Sequence, residues 1–420
     1  MAEEWDMPPH VPGAGPTVLF GAFDRHNFGD LLFPHIAAAL LPGRELVFAG
    51  LAARDLRPFG GHRVEALADV AAAWGHHPEQ PEHPDHPVHL LHVGGEILTC
   101  TAWQAAVMLL PPEQAPATVA YLEARPQEKE DWTRKRLGRP DLAPYAVPRH
   151  LFPGAARISY NAVGGVDLGE RAPEHRAEVL AKLRNADAVG VRDRHTFARL
   201  EAAGIAARLM PDPAVLVAEL FGAEIRRHAQ QGEVARLRRT FPQGYLAVQF
   251  SADFGDDATL ATLAAQLDTV VAASGLGLAL LRAGAAPWHD DLATLERLAA
   301  RLRTRAVAVF HGLQLWDICA LIAASRAFCG SSLHGRIVAT AFALPRLNLC
   351  AGAPAATTSK HAAYAATWEA AGLPGVVSVS DLAEGLLQAL AADPAVLRQT
   401  ATALARRYRA AFRWIAGEAD

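Results

Sequence analysis

The run Thr17–Leu41, TVLFGAFDRHNFGDLLFPHIAAALL, sets the fold class. Its first residues, Thr17–Gly21, form a short apolar run that reads as a buried parallel strand. The loop Ala22–Asp30 follows, and then a helical pattern through Leu41. A strand passing through a tight loop into a helix is the repeating unit of parallel sheets, whose faces are covered by the connecting helices.

The same unit recurs outward along the chain. Strands are expected at Glu45–Phe48, at Val88–Val93 (ending in Gly94-Gly95), at Ala156–Tyr160, at Ala188–Arg192 and at Ala207–Met210. Helices are expected at Pro173–Asn185 and His195–Ala203, with helical character over 213–242. Tyr245–Phe250 opens a second set: helix 256–274, strand 276–281, helix 289–303, strand 306–310, helix 314–324, strand 327–329, helix 333–343 and strand 346–349. The expected fold is α/β, two Rossmann-like domains facing across a cleft (GT-B-like), with ligands beyond the carboxyl ends of the strands. The expected divisions are a loose arm at 1–16, an N-terminal domain at 17–215 on the acceptor side and a C-terminal domain at 216–394 on the donor side. A terminal helix at 395–420 packs on the body. Residues 111–153, rich in Pro, Arg and Glu, read as a partly helical insertion.

Composition narrows the function. The 420 residues carry 40 Lys plus Arg against 44 Asp plus Glu, a formal charge of −4, with 51% hydrophobic residues. Real cores can form, and nucleic acid is not the expected partner, because phosphate-backbone binding needs basic excess. No apolar run reaches the roughly 18 residues that would span a bilayer. The first residues lack a basic and apolar leader, so a cytoplasmic setting is expected, at the inner membrane face at most. The four cysteines (Cys100, Cys319, Cys329, Cys350) show no CxxC spacing and read as buried hydrophobes. Six histidines (His76, His77, His83, His86, His89, His92) match no standard zinc spacing. The terminal helix alternates apolar positions with Arg398, Arg406, Arg407, Arg409 and Arg413, so membrane contact is at most peripheral.

Five stretches sit where such a fold keeps its chemistry. In the first loop, Asn27 and Asp30 can hydrogen-bond hydroxyls, and Asp30 can act as a base. Gly94, Gly95 and Glu96 follow a middle strand, and two glycines permit close backbone approach by a ligand. Arg192 ends a strand, where a guanidinium suits a carboxylate or phosphate. Ser331, Ser332, His334, Gly335 and Arg336 open a helix whose free N–H groups favour an anion. Lys360, the only lysine in the second half of the chain, is expected in a loop after the strand 346–349.

Taken in order, Asn27-Phe-Gly29-Asp30, Gly94-Gly95, Val191-Arg192-Asp193, Pro211-Asp212-Pro213, Ser331-Ser-Leu-His334-Gly335 and Pro345 resemble the polysaccharide pyruvyl transferase family over roughly residues 17–375. The chain departs from that pattern at Ser332, Arg336, Glu96 and the 111–153 insertion. The resemblance implies transfer of the pyruvyl group of phosphoenolpyruvate onto two hydroxyls of a sugar or glycan, free or lipid-linked, as a ketal. On that reading phosphoenolpyruvate is a co-substrate, and no cofactor or metal is required. His334 is the acid and Asp30 the base. Arg192, Ser331, Ser332, Gly335, Arg336 and Lys360 hold the donor, and Asn27, Gly94, Gly95 and Glu96 the acceptor. The alternatives are a GT-B glycosyltransferase using a nucleotide sugar and a catalytically inactive carbohydrate-binding relative. The first alternative wants a carboxylate near the second-domain loops for a ribose, and the sequence places none there.

Overall fold

The computed structural model describes residues 15–75, 88–152, 155–350 and 359–418. Most of the arm at 1–16, the His- and Pro-rich segment 76–87 and Thr357–Thr358 lie outside the described residues. The fourteen strands are β1 (Thr17–Phe20), β2 (Leu46–Gly50), β3 (Arg54–Asp55), β4 (Arg63–Ala66), β5 (Val88–His92), β6 (Ala155–Val163), β7 (Ala188–Val191), β8 (Arg208–Leu209), β9 (Tyr245–Gln249), β10 (Gly277–Leu280), β11 (Val307–Val309), β12 (Ala327–Gly330), β13 (Arg346–Cys350) and β14 (Val376–Ser378). They form an eight-stranded sheet, β3-β4-β2-β1-β5-β6-β7-β8, and a six-stranded sheet, β11-β10-β9-β12-β13-β14. The β3–β4 pair is antiparallel and the other pairs are parallel, for example Val18 opposite Val47 and Leu90.

The expected architecture, two α/β units facing across a cleft, is the one observed. The central strands are buried end to end, as in TVLF of β1 and VHLLH of β5. Side chains alternate between faces. Leu19 and Leu91 enter a core that continues into the second sheet through Ala247, Ala279 and Phe328. Val18, Phe20 and Leu90 enter a separate core on the opposite face. A third core, with Leu246, Val248 and Leu278, covers the outer face of the second sheet. Each fully buried Leu, Val or Phe contributes about 1.5–3 kcal/mol relative to exposure, so the shared first core resists separation of the two sheets.

Strand order reverses at β1 in the first sheet and at β9 in the second. At such a switch the connections leave on opposite faces and open a crevice beyond the strand ends. The loops after β1 and β5 therefore face those after β9 and β12.

Several elements escaped the sequence. The β3–β4 ribbon is too short to show a period. Lys360 does not lie in a loop: it opens the helix Lys360–Trp368, capped by Ser359, whose hydroxyl accepts from Ala362 N at 3.2 Å. Within 111–153, the helices Ala115–Glu123 and Pro126–Leu137 form a small lobe. It packs on the helix Ala102–Met108 around Trp103, Val107 and Trp132. The helix Pro394–Ala416 returns to the first sheet. There the Asn161 amide donates to Tyr408 Oη at 2.9 Å, and the Ser159 hydroxyl donates to Ile415 O at 3.0 Å. No helix among the described residues is long and apolar enough to cross a membrane.

Candidate active site between the two sheets

A cavity of about 760 Å³ fills the crevice where the two switch points meet. Asn27, Asp30, Glu96, Arg192, Ser331, Ser332, His334 and Lys360 all reach its wall. Four other residues expected there do not. Gly94 and Gly95 turn the chain at positive φ (137° and 96°) behind the wall. Gly335 packs on the Phe328 ring, 2.1 Å from where its Cβ would stand. Arg336 is fully buried and faces away: Nε donates to Glu369 at 2.9 Å and Nη1 to Gly375 O at 2.8 Å. Its expected part in donor binding is corrected by that geometry.

The first loop is latched onto the second sheet. Asn27 caps the helix Phe28–Leu40 by accepting from Gly29 N at 3.1 Å, and its amide meets His289 Nε2 at 3.2 Å. Phe28 N donates to Ala283 O at 2.9 Å. His26 adds a contact to Leu313 O at 2.7 Å and accepts from Ala285 N at 3.1 Å. Asp30, in the first turn of the helix, is buried and lines the cavity. Burial pushes its pKa up to about 6 against the pull of Arg25, Arg192 and Lys360. A carboxyl at that value can give or take a proton near neutral pH.

Arg192 is not a free anion-binding cation. Nη2 donates to Glu96 Oε2 at 2.7 Å and Nη1 to Asp212 Oδ2 at 2.9 Å. Burial works against its charge, but the two carboxylates outweigh burial and hold it protonated above the usual range. Asp212, which caps the turn Pro213–Leu216, is wholly buried. The sequence placed Arg192 at the site without showing that its charge is already compensated.

On the second sheet, Ser332 caps the helix Leu333–Ala341 by accepting from Gly335 N at 3.1 Å. Ser331 Oγ accepts from Ser251 N at 2.9 Å. His334 lies edge-on to Phe33, ring centres 5.1 Å apart, with Nε2 3.8 Å from Asp212 Oδ2. That carboxylate already serves Arg192. Burial, with Arg192 and Lys360 nearby, holds the imidazole neutral, its pKa well below the ordinary value.

Other residues of the wall were not read from the sequence. Arg25 donates to the Tyr145 hydroxyl, which donates on to Asp24 Oδ1 at 3.1 Å. Asp290 accepts from Gln249 Nε2 at 2.8 Å, and burial pushes its carboxyl up to about 6. Asp290 and Asp253 both reach the cavity from second-sheet loops, so carboxylates do stand where the sequence showed none. Five buried polar atoms on cavity-lining residues lack a hydrogen-bond partner: Arg25 Nε, Arg171 Nε, Gln249 Oε1, His334 Nε2 and His361 Nε2. Buried polar atoms are normally paired, and each orphan costs roughly 1–3 kcal/mol.

The family model described as polysaccharide pyruvyl transferase matches residues 168–349. No curated protein sequence matches the chain. Solved structures share its fold over nearly its whole length. The UDP-GlcNAc 2-epimerase from Neisseria meningitidis bound to UDP-GlcNAc aligns with a TM-score of 0.53 at 10% identity, covering 95% of this chain and 98% of that one. The UDP-GlcNAc 2-epimerase from Methanocaldococcus jannaschii gives 0.53 at 9% identity, covering 96% and 99%. The UDP-N-acetylglucosamine 2-epimerase from Rickettsia bellii gives 0.52 at 12% identity, covering 96% of each. At these identities the likeness is one of fold: a GT-B-like pair of α/β units.

These findings correct the expectation of a phosphoenolpyruvate-dependent ketal pyruvyltransferase in polysaccharide biosynthesis. The family match stops at residues 168–349, whereas the structures matching nearly the whole chain are named for nucleotide-sugar epimerisation. The clamp that reading needed is also incomplete, because Arg192 is engaged by Glu96 and Asp212 and Arg336 points elsewhere. Phosphoenolpyruvate is accordingly withdrawn as co-substrate and partner.

Proposed function

We propose that this chain is an enzyme acting on a nucleotide sugar, with the nucleoside diphosphate held across the crevice between the two sheets. The observation that carries this reading is the set of five unpartnered buried polar atoms on residues that line one cavity at the two switch points. The diphosphate lies towards Lys360 and the start of the helix Leu333–Ala341, whose unpaired N–H groups and dipole favour negative charge by about 0.3–2 kcal/mol. Asp253, exposed on the cavity wall, receives the ribose hydroxyls. Neutral His334 donates or accepts a hydrogen bond through Nε2 and carries no charge of its own.

The reaction that fits is glycosyl transfer. An acceptor hydroxyl oxygen forms a bond to the anomeric carbon, and the bond from that carbon to the phosphate oxygen breaks. The electron pair leaves with the nucleoside diphosphate, and the hydroxyl proton passes to Asp30. The UDP-GlcNAc of the structural neighbours is the first donor to try. The test is release of UDP from UDP-GlcNAc with methyl glycosides as acceptors. Release by the wild type and its loss by about 10²-fold or more in Asp30→Asn supports the reading, since that is the usual scale for a lost acid or base. No release with any acceptor, or equal release by both proteins, overturns it.

A further inference from the structure

Trp288 stands out among the large apolar side chains. It is 49% exposed, it lines the cavity, and its backbone is left-handed at φ 63°. A bulky residue rarely adopts that conformation without an imposed reason, and such residues gather at functional sites. Here the loop is fixed on both sides. His289 N donates to Ala286 O at 3.1 Å, Asp290 N to Gly284 O at 3.2 Å, and His289 Nδ1 contacts Pro287 O at 3.0 Å. The indole is thus held half in solvent by a rigid turn.

Its surroundings come from the opposite sheet. Trp103, on the helix Ala102–Met108, meets Trp288 with ring centres 6.4 Å apart at 62°. Trp103 is itself backed by Trp132 at 5.6 Å and lies under the Lys129 ammonium at 4.6 Å. Trp288 thus has an aromatic neighbour across the seam while half of its surface remains exposed. Gln104 and Thr99 line the same cavity. A half-exposed indole in a cavity that polar side chains also line suits a pyranose, which offers an apolar C–H face and a rim of hydroxyls.

Building on the proposed nucleotide-sugar reading, we infer that Trp288 is the stacking platform of the acceptor subsite and that the acceptor there is a pyranose ring. The position favours the acceptor over the nucleobase. His289, next in sequence, meets the amide of Asn27, and Asn27 caps the helix that carries Asp30. The platform is thereby tied to the group that takes the acceptor proton. It also places the acceptor at the seam of the two sheets, not on the first sheet alone.

The test is saturation-transfer NMR with methyl β-D-glucopyranoside on the wild type, Trp288→Gly and Trp288→Phe, with UDP affinity measured on the same samples. Glycine suits the left-handed backbone and removes the ring; phenylalanine keeps an aromatic face. The inference expects glycoside affinity to fall at least tenfold in Trp288→Gly and less than threefold in Trp288→Phe, with UDP affinity within twofold throughout. Absence of glycoside binding by the wild type, or equal binding by Trp288→Gly, overturns it. Weakened UDP binding with glycoside binding unchanged assigns the ring to the nucleobase and also overturns it. If the wild type binds no UDP yet loses glycoside in Trp288→Gly, the platform stands and the nucleotide-sugar reading falls.

Discussion

Gly29 lies so close to His334 that a Cβ built on Gly29 would stand 1.9 Å from His334 Nδ1. The first loop of one sheet and the helix start of the other thus touch at a point where no side chain fits. A methyl there must displace a buried imidazole. Overpacking of this kind costs about 1–3 kcal/mol. Gly29→Ala is expected to lower the unfolding midpoint accordingly and to weaken UDP binding, because His334 is driven from its place in the wall. Denaturant unfolding and calorimetry check both, and an unchanged protein on both counts would remove the contact from the account.

Arg192 is the second point of leverage. Its ion pair with Asp212 is fully enclosed and the one with Glu96 part-buried, the Glu96 side chain being 20% exposed. Removing the guanidinium leaves two carboxylates uncompensated, a loss of about 3–5 kcal/mol. Arg192→Met is expected to unfold at markedly lower urea concentration at pH 7 and to recover part of that loss in Asp212→Asn/Arg192→Met. Wild-type stability in Arg192→Met would mean that the pairs hold nothing together.

Asp30 links stability to activity with opposite signs. Its carboxyl titrates at about 6 in the fold against an ordinary value near 3.8. Between those values the native state holds the proton and the unfolded chain does not. This term is therefore favourable below pH 4, is lost as pH rises to 6, and is flat above. Asp30→Asn is expected to be more stable than the wild type at pH 7, by at most about 3 kcal/mol at 1.36 kcal/mol per unit. The gain should vanish by pH 4. Asp290 titrates in the same window, so the difference between the two proteins, not either curve alone, reports Asp30. Wild-type turnover should rise as pH passes 6, since a base must be ionised to accept a proton. A variant less stable than the wild type at pH 7 contradicts the assignment.

The sequence displayed the alternation of strand and helix because buried parallel strands are short continuous apolar runs. It also displayed the sequence-local part of the site: Asn27 and Asp30 sit one turn apart, and Ser331 to His334 follow one strand. It misled at Arg336, because residues two apart on a helix point about 200° from each other. With His334 facing the cavity, Arg336 must face the interior, where Glu369 meets it. It was silent on Arg25 with Tyr145, which are 120 residues apart in the chain. The engagement of Arg192 by Glu96, 96 residues away, was equally hidden. Pairings at such separations depend on how β1, β5, β6 and β7 lie side by side, and no local pattern encodes that order.

The most direct test of the account is isothermal titration of UDP into the wild type and into Lys360→Met. Lys360 opens the helix Lys360–Trp368 at the cavity wall, is exposed, and has no ion-pair partner among the described residues. Its removal should leave the fold intact. The account predicts a single site with micromolar-range affinity in the wild type, weakened about tenfold in Lys360→Met, the equivalent of about 1.4 kcal/mol. Absence of binding to the wild type, or equal affinity in the two proteins, would contradict a nucleoside diphosphate held between Lys360 and the start of the helix Leu333–Ala341.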